Sequence, residues 1–114
     1  MKHTESINEN YMFSRLYRTG KNMVDGNIAV YYKMTKREYN RLGITATKKI
    51  GGAVARDRAR RVIKEAYRLS EDKLPKGMDI VIVARKKATY VKMGNVRRSL
   101  LHLFEAKTQK KNGS

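Results

Sequence analysis

The chain has 114 residues, the size of one domain, and its hydrophobic fraction of 40% supports one modest core and argues against disorder throughout. Twenty-seven Lys and Arg against ten Asp and Glu give a formal net charge of +17, a self-repelling excess that makes physical sense beside a polyanion, where each neutralised phosphate releases counterions. The absence of Cys excludes a disulfide framework and a zinc finger or knuckle.

In chain order, residues 1–6 read as a loose arm. With Glu5 and Glu9 and no apolar stretch, the N-terminus does not read as a secretory signal. Asn8 suits a helix N-cap, with Ile7 before it and Met12 after it forming a hydrophobic staple. Met12, Phe13, Leu16 and Tyr17 share one face of a helix over 8–19, and Gly20 is placed to end it in the left-handed conformation. Asn27 to Lys33 is rich in β-branched and aromatic residues and reads as a strand, and Leu42 to Thr47 as a second. The polar stretch MTKREYN between them has the length of a hairpin loop.

The stretch KKIGG then breaks the pattern, and a long helix follows from Val54 to Ser70. Pro75 and Gly77 mark a loop. Asp79 to Ala84 is apolar on both faces, which predicts a central, buried strand. Its apolar run, the longest in the chain, is too short to cross a bilayer, so the expectation is a soluble, cytoplasmic protein with no membrane partner. A last helix over 92–107 places Met93, Val96, Leu100, Leu103 and Phe104 on one side, and the tail 107–114 is expected to be mobile. The order α, β, β, α, β, α, with no repeat, predicts a single domain over 1–114 of α+β class, one mixed sheet with three helices packed on it, and the net charge points to a nucleic acid beside it.

The segment Lys48–Arg68, KKIGGAVARDRARRVIKEAYR, carries eight basic and two acidic residues, a net +6 over 21 positions. At about 100° per residue, Arg56, Arg60, Lys64 and Arg68 form a row in steps of about 40°, with Arg61 beside it. Ala55, Ala59, Val62, Ile63, Ala66 and Tyr67 occupy the opposite arc. Like charges four apart destabilise an isolated helix by a few tenths of a kcal/mol per pair, so three such steps in series suit a helix whose repulsion is offset by phosphates. Arg58 lies off the row, at the edge of the packed face. Gly51 and Gly52 turn the chain into the helix and allow close backbone approach, while Lys48 and Lys49 flank the helix N-terminus, a natural anion site. The Gly-Lys-Ser/Thr ending of a Walker loop is absent.

The stretch LGITATKKIGGAVARDRARRVIKEAYR closely resembles the signature of the bacterial ribonuclease P protein family, Arg-Asn-Arg-x-Lys/Arg-Arg after an Ala-Val step: Ala53 and Val54 lead into Arg56, Asp57, Arg58, Arg60 and Arg61. The resemblance extends, in family order, to the Phe13–Tyr17 helix ending in Gly20, the strand with Tyr31, DIVIVARKKA at 79–88 and SLLHLF at 99–104. It implies a ribosomal S5 domain 2-like fold, a four-stranded sheet with a left-handed βαβ crossover carrying the basic helix. The fourth strand is then expected within 77–92 or beside the first hairpin. It also implies a protein subunit, expected to be a monomer, that binds ribonuclease P RNA and the 5′ leader of precursor tRNA, with Mg2+ at the RNA active site doing the hydrolysis. RNA contacts are thereby expected at Lys48, Lys49, Arg56, Arg58, Arg60, Arg61, Lys64 and Arg68. Asp57 stands where the family has Asn: a carboxylate cannot donate the hydrogen bond an amide can and is repelled by phosphate. Either an RNA contact is lost here or, if the position organises the loop, Asp57 substitutes by pairing with a neighbouring Arg.

No catalytic cluster is legible in the chain itself. His3 and His102 lie on a loose arm and a late helix, and the ten acids show no two-metal spacing. Phe13, Tyr17 and Tyr31 suit either a core or an open cleft. Because Ile28, Val30 and Tyr32 already supply one apolar face of their strand, Ala29 and Tyr31 are left for the other, where exposed rings can stack on single-stranded bases. The resemblance points to the cleft, which in the family takes the leader. Three rivals remain: a ribosomal or rRNA-binding protein, opposed by motif order alone; a DNA-binding regulator, which lacks a helix-turn-helix partner; and a protein-only nuclease, which lacks the acids.

Overall fold

The β-branched segments do carry the sheet, but their pairing is not the local one. The computed structural model describes residues 4–7 and 10–112, with side chains through Glu105. Five strands, β1 (Thr4–Ser6), β2 (Lys21–Val24), β3 (Ile28–Met34), β4 (Asn40–Thr45) and β5 (Met78–Ala84), accompany three helices, α1 (Asn10–Thr19), α2 (Ala53–Ser70) and α3 (Met93–Asn112). Short 3-10 turns lie at Lys48–Ile50, Glu71–Lys73 and Lys86–Thr89. The sheet order is β1-β4-β5-β3-β2. β5 pairs antiparallel with β3 and parallel with β4, so it separates the two strands that the sequence reads as a hairpin. α2 is the crossover joining the parallel neighbours β4 and β5.

The expected four strands are five. The additional strand beside β3 is β2, which closes a true hairpin through Asp25–Asn27; no second strand lies in 77–92. The fifth is β1, parallel to β4, inside the stretch read as a loose arm. Its sequence, TES, has no apolar signal, because an edge strand is held by backbone hydrogen bonds rather than by buried side chains. Gly20 ends α1 but is not left-handed. The position has no room for a side chain: a Cβ there would stand 2.7 Å from the Leu16 carbonyl oxygen and 3.0 Å from that of Tyr32. The proposed cap Asn8 lies outside the described residues, as do His3 and the end of the tail; Ile7 and Met12 nevertheless meet in one apolar cluster.

Alternation along the strands makes two faces. Ile28, Val30 and Tyr32 of β3, Leu42 of β4, and Met78, Ile80, Ile82 and Ala84 of β5 form the main core with Ala59, Ile63, Ala66 and Tyr67 of α2 and Val96, Leu100 and Phe104 of α3. The other face carries a smaller cluster in which α1 packs Met12, Phe13 and Leu16 against Ile7, Tyr31, Val81 and Val83. β5 is thus covered on both sides, as its unbroken apolar run requires.

Candidate nucleic-acid interface

The amphipathic pattern of α2 resolves as its wheel predicts: Ala59, Ile63, Ala66 and Tyr67 are buried, with Ala55 and Val62 half-buried beside them. Of the cation row, Arg60 and Lys64 have no ion pair among the described residues. Arg68 pairs with Glu65 at 2.5 Å, and that hydrogen bond holds the Glu65 carboxyl below the usual carboxylate range. Arg61 pairs with Asp57 at 3.2 Å. Arg58 is turned inward: its guanidinium donates to the carbonyls of Ala88 at 3.3 Å and Val91 at 3.0 Å, tying α2 to the turn before α3. This gives Arg58 a structural task that the wheel only hinted at.

At the start of α2, Gly51 adopts φ 152°, a backbone state that favours glycine. No side chain caps the helix N-terminus, and Lys48 and Lys49 stand exposed on the preceding turn. Unpaired first-turn N–H groups beside two ammonium groups make an anion-attracting corner.

On the opposite face, the three aromatic residues come together as expected, in unequal roles. The Tyr17 and Tyr31 rings meet edge-on at a centroid distance of 4.9 Å, with Tyr17 43% exposed and Tyr31 half-buried. Phe13 packs against Gly43, where a Cβ would come within 2.5 Å of its ring, so it is chiefly the packing contact that seats α1. Burial, and secondarily Tyr31, raises the Tyr17 phenol above its ordinary value; the ring stays neutral at physiological pH and does not repel phosphate. The exposed Val24 and the half-buried Ala29 and Val83 continue this face, on strands that α1 leaves partly uncovered.

Two groups of cations were missed in the sequence because no periodicity links them. Arg85, Lys86 and Lys87 are exposed at the end of β5, where Arg85 donates to the Asp25 carbonyl at 2.7 Å and Lys87 lies against the Gly26 turn. Arg15, Lys33, Arg37 and Arg41 gather on the far flank of α1 around Asp79. Among the described residues no three His, Asp or Glu side chains converge to hold a metal ion, and no helix is long and apolar enough to cross a membrane.

The fold that places the basic helix on one face of the sheet and the Tyr17–Tyr31 pair on the other matches solved structures. The chain superimposes on the ribonuclease P protein of Thermotoga maritima with a TM-score of 0.79 at 30% identity, covering 90% of this chain and 96% of that one. The Staphylococcus aureus protein gives 0.77 at 29% identity, covering 90% and 94%. A sequence model of the ribonuclease P family matches residues 1–108. The chain belongs to the ribonuclease P protein family. It is 37% identical to the ribonuclease P protein component of Alkaliphilus metalliredigens over 107 residues, 91% of this chain and 94% of that one, and 34% identical to that of Bacillus cereus over 113 residues, 97% of each.

It is therefore a subunit of the ribonuclease P ribonucleoprotein, which matures tRNA 5′ ends and whose catalysis lies in its RNA. The ribosomal-protein alternative is not favoured. Asp57, where the sequence departs from the signature it resembles, lies on α2. Its pair with Arg61 joins two side chains each more than half exposed, and such i,i+4 pairs contribute only about 0.3–0.5 kcal/mol. Asp57→Asn should therefore leave the melting temperature within about two degrees. It should also tighten binding to the catalytic RNA, by removing a repelling carboxylate and freeing Arg61. Titration of the RNA against both proteins, with thermal melts alongside, checks this; a lower melting temperature with unchanged binding would make the pair structural.

Proposed function

We propose that α2 and the turn before it grip the ribonuclease P RNA through Lys48, Lys49, Arg56, Arg60, Arg61, Lys64 and Arg68, and that the Phe13, Tyr17 and Tyr31 cleft receives the single-stranded 5′ leader of precursor tRNA. The observation that carries this reading is the unneutralised pair Arg60 and Lys64, one turn apart on a helix whose opposite side is buried. Arg58 contributes by holding α2 in place. The chain acts as a single domain and a monomer in the cytoplasm. Mg2+ serves the RNA active site, because the catalysis of this ribonucleoprotein lies in its RNA, while the largely buried carboxylate of Asp79 is taken up by two arginines. This protein's part is to screen phosphate repulsion and to position the leader beside a ribozyme that does the chemistry.

Replacing Arg60 and Lys64 together with Ala should leave the fold intact, since neither is paired. It should weaken binding to the catalytic RNA and lower the log–log salt slope by about one to two units, because each phosphate contact contributes nearly one. An unchanged slope would reduce the row to a solvated face.

A further inference from the structure

Helix α1 has two flanks on the sheet. At about 100° per residue, Arg15 lies about 160° from Tyr17, so the side chains that border the tyrosine cleft and those on the other flank face different spaces. The second space is a recess lined by Tyr11, Arg15, Lys33, Arg37, Arg41 and Asp79, among others. Asp79, with its side chain 15% exposed, forms the floor. It accepts two hydrogen bonds from Arg41, Nε to Oδ1 at 3.0 Å and a terminal nitrogen to Oδ2 at 3.1 Å, and a further one from Arg37. Among the described residues that line the recess, Asp79 is the only acid against four cations, an excess of +3.

The need to neutralise Asp79 accounts for Arg37 and Arg41. It does not account for Arg15 and Lys33, which are exposed and have no ion pair among the described residues. Nor does it account for the Nε of Arg37, a buried donor without an acceptor, whose guanidinium stacks 5.3 Å from the Tyr39 ring centre. Tyr11, 65% exposed, stands at the rim. Guanidinium groups pre-oriented by a carboxylate, two unpaired cations and an exposed ring together match a nucleotide: the cations suit its phosphate and the ring suits its base.

We propose that this recess is a second RNA subsite, separate from the basic helix and from the tyrosine cleft, which seats a backbone phosphate between Arg15 and Lys33 with Tyr11 beside the adjoining base. The inference rests on the reading of this chain as an RNA-gripping subunit. The phosphate comes either from the leader of the precursor or from the catalytic RNA, and the test separates these sources.

Arg15 and Lys33 can be changed without unpairing Asp79, so the full-length Arg15→Ala, Lys33→Ala double variant is compared with wild type and with Arg60→Ala, Lys64→Ala across a salt series. Each protein is titrated with ribonuclease P RNA, and each reconstituted holoenzyme with precursor and with mature tRNA. The recess variant should lose affinity about three- to thirty-fold in one of these titrations, with a salt slope lower by about one to two units. Loss confined to precursor assigns the phosphate to the leader; loss in binding the ribozyme assigns it to the catalytic RNA. If the recess variant matches wild type throughout while the α2 variant is weakened, the subsite is overturned and the α2 reading stands. If neither variant changes any slope, both fall.

Discussion

Tyr17→Ala is expected to weaken holoenzyme binding of leader-bearing precursor tRNA about five- to a hundred-fold and to leave mature tRNA binding unchanged, because base–aromatic stacking contributes roughly 1–3 kcal/mol per base. The ring is 43% exposed and its principal described neighbour is Tyr31, so its removal should change the melting temperature little. Tyr31→Ala should show the same preference for precursor but with an earlier melt, since Tyr31 also packs against the Ile7, Leu16 and Val81 cluster. Phe13→Ala should be mainly a stability change, because that ring fills the space over Gly43 and seats α1. Equal losses on both substrates, in step with a lower melting temperature for Tyr17→Ala, would return the tyrosines to the core.

The largest stability effect is expected at Asn40, a polar residue only 2% exposed. Its side chain donates to the Tyr67 hydroxyl and to the Pro75 carbonyl, each at 3.0 Å, and accepts from the Met78 amide at 2.8 Å. The Tyr67 hydroxyl also meets Thr4, which donates to Glu71 at 2.5 Å. One amide therefore fastens the starts of the parallel strands β4 and β5 to α2, and through Tyr67 to β1. Asn40→Leu keeps the branched shape of the side chain, slightly enlarged, but leaves the Tyr67 hydroxyl, the Met78 amide and the half-buried Pro75 carbonyl each short of a hydrogen bond worth about 1–3 kcal/mol when unsatisfied. A loss on the order of 3 kcal/mol, seen as a melting temperature lower by about 10–20 °C, is the expected result. A change below about 1 kcal/mol would mean that apolar packing alone holds the two strands in register.

These two sites mark what was and was not legible in the chain. The helices were legible because α2 repeats its apolar positions with helical period, and β5 because a strand covered on both faces must be apolar throughout. Strand pairing was not: Asn27–Lys33 and Leu42–Thr47 are close in sequence, yet the α2 crossover inserts β5 between them, a decision made by packing on both faces. The edge strand β1 left no trace because Thr4–Ser6 buries little. In the interface, the cation row was readable since it follows the helix period. The inward turn of Arg58 was not, because its acceptors, Ala88 and Val91, lie 30 and 33 residues away. The gathering of Arg37 and Arg41 on Asp79 spans 42 and 38 residues and is equally invisible to any local pattern.

This chain works by assisting an RNA catalyst. Precursor tRNA cleavage by a bacterial ribonuclease P RNA at low Mg2+, measured with and without the protein, tests it most directly. The protein should restore cleavage at the mature 5′ end when the RNA is present, more for substrates with a leader long enough to reach the tyrosine cleft, and should cleave nothing alone. Cleavage by the protein without RNA, or no stimulation of the RNA at any protein concentration, would show that the protein does not act as an accessory to a catalytic RNA.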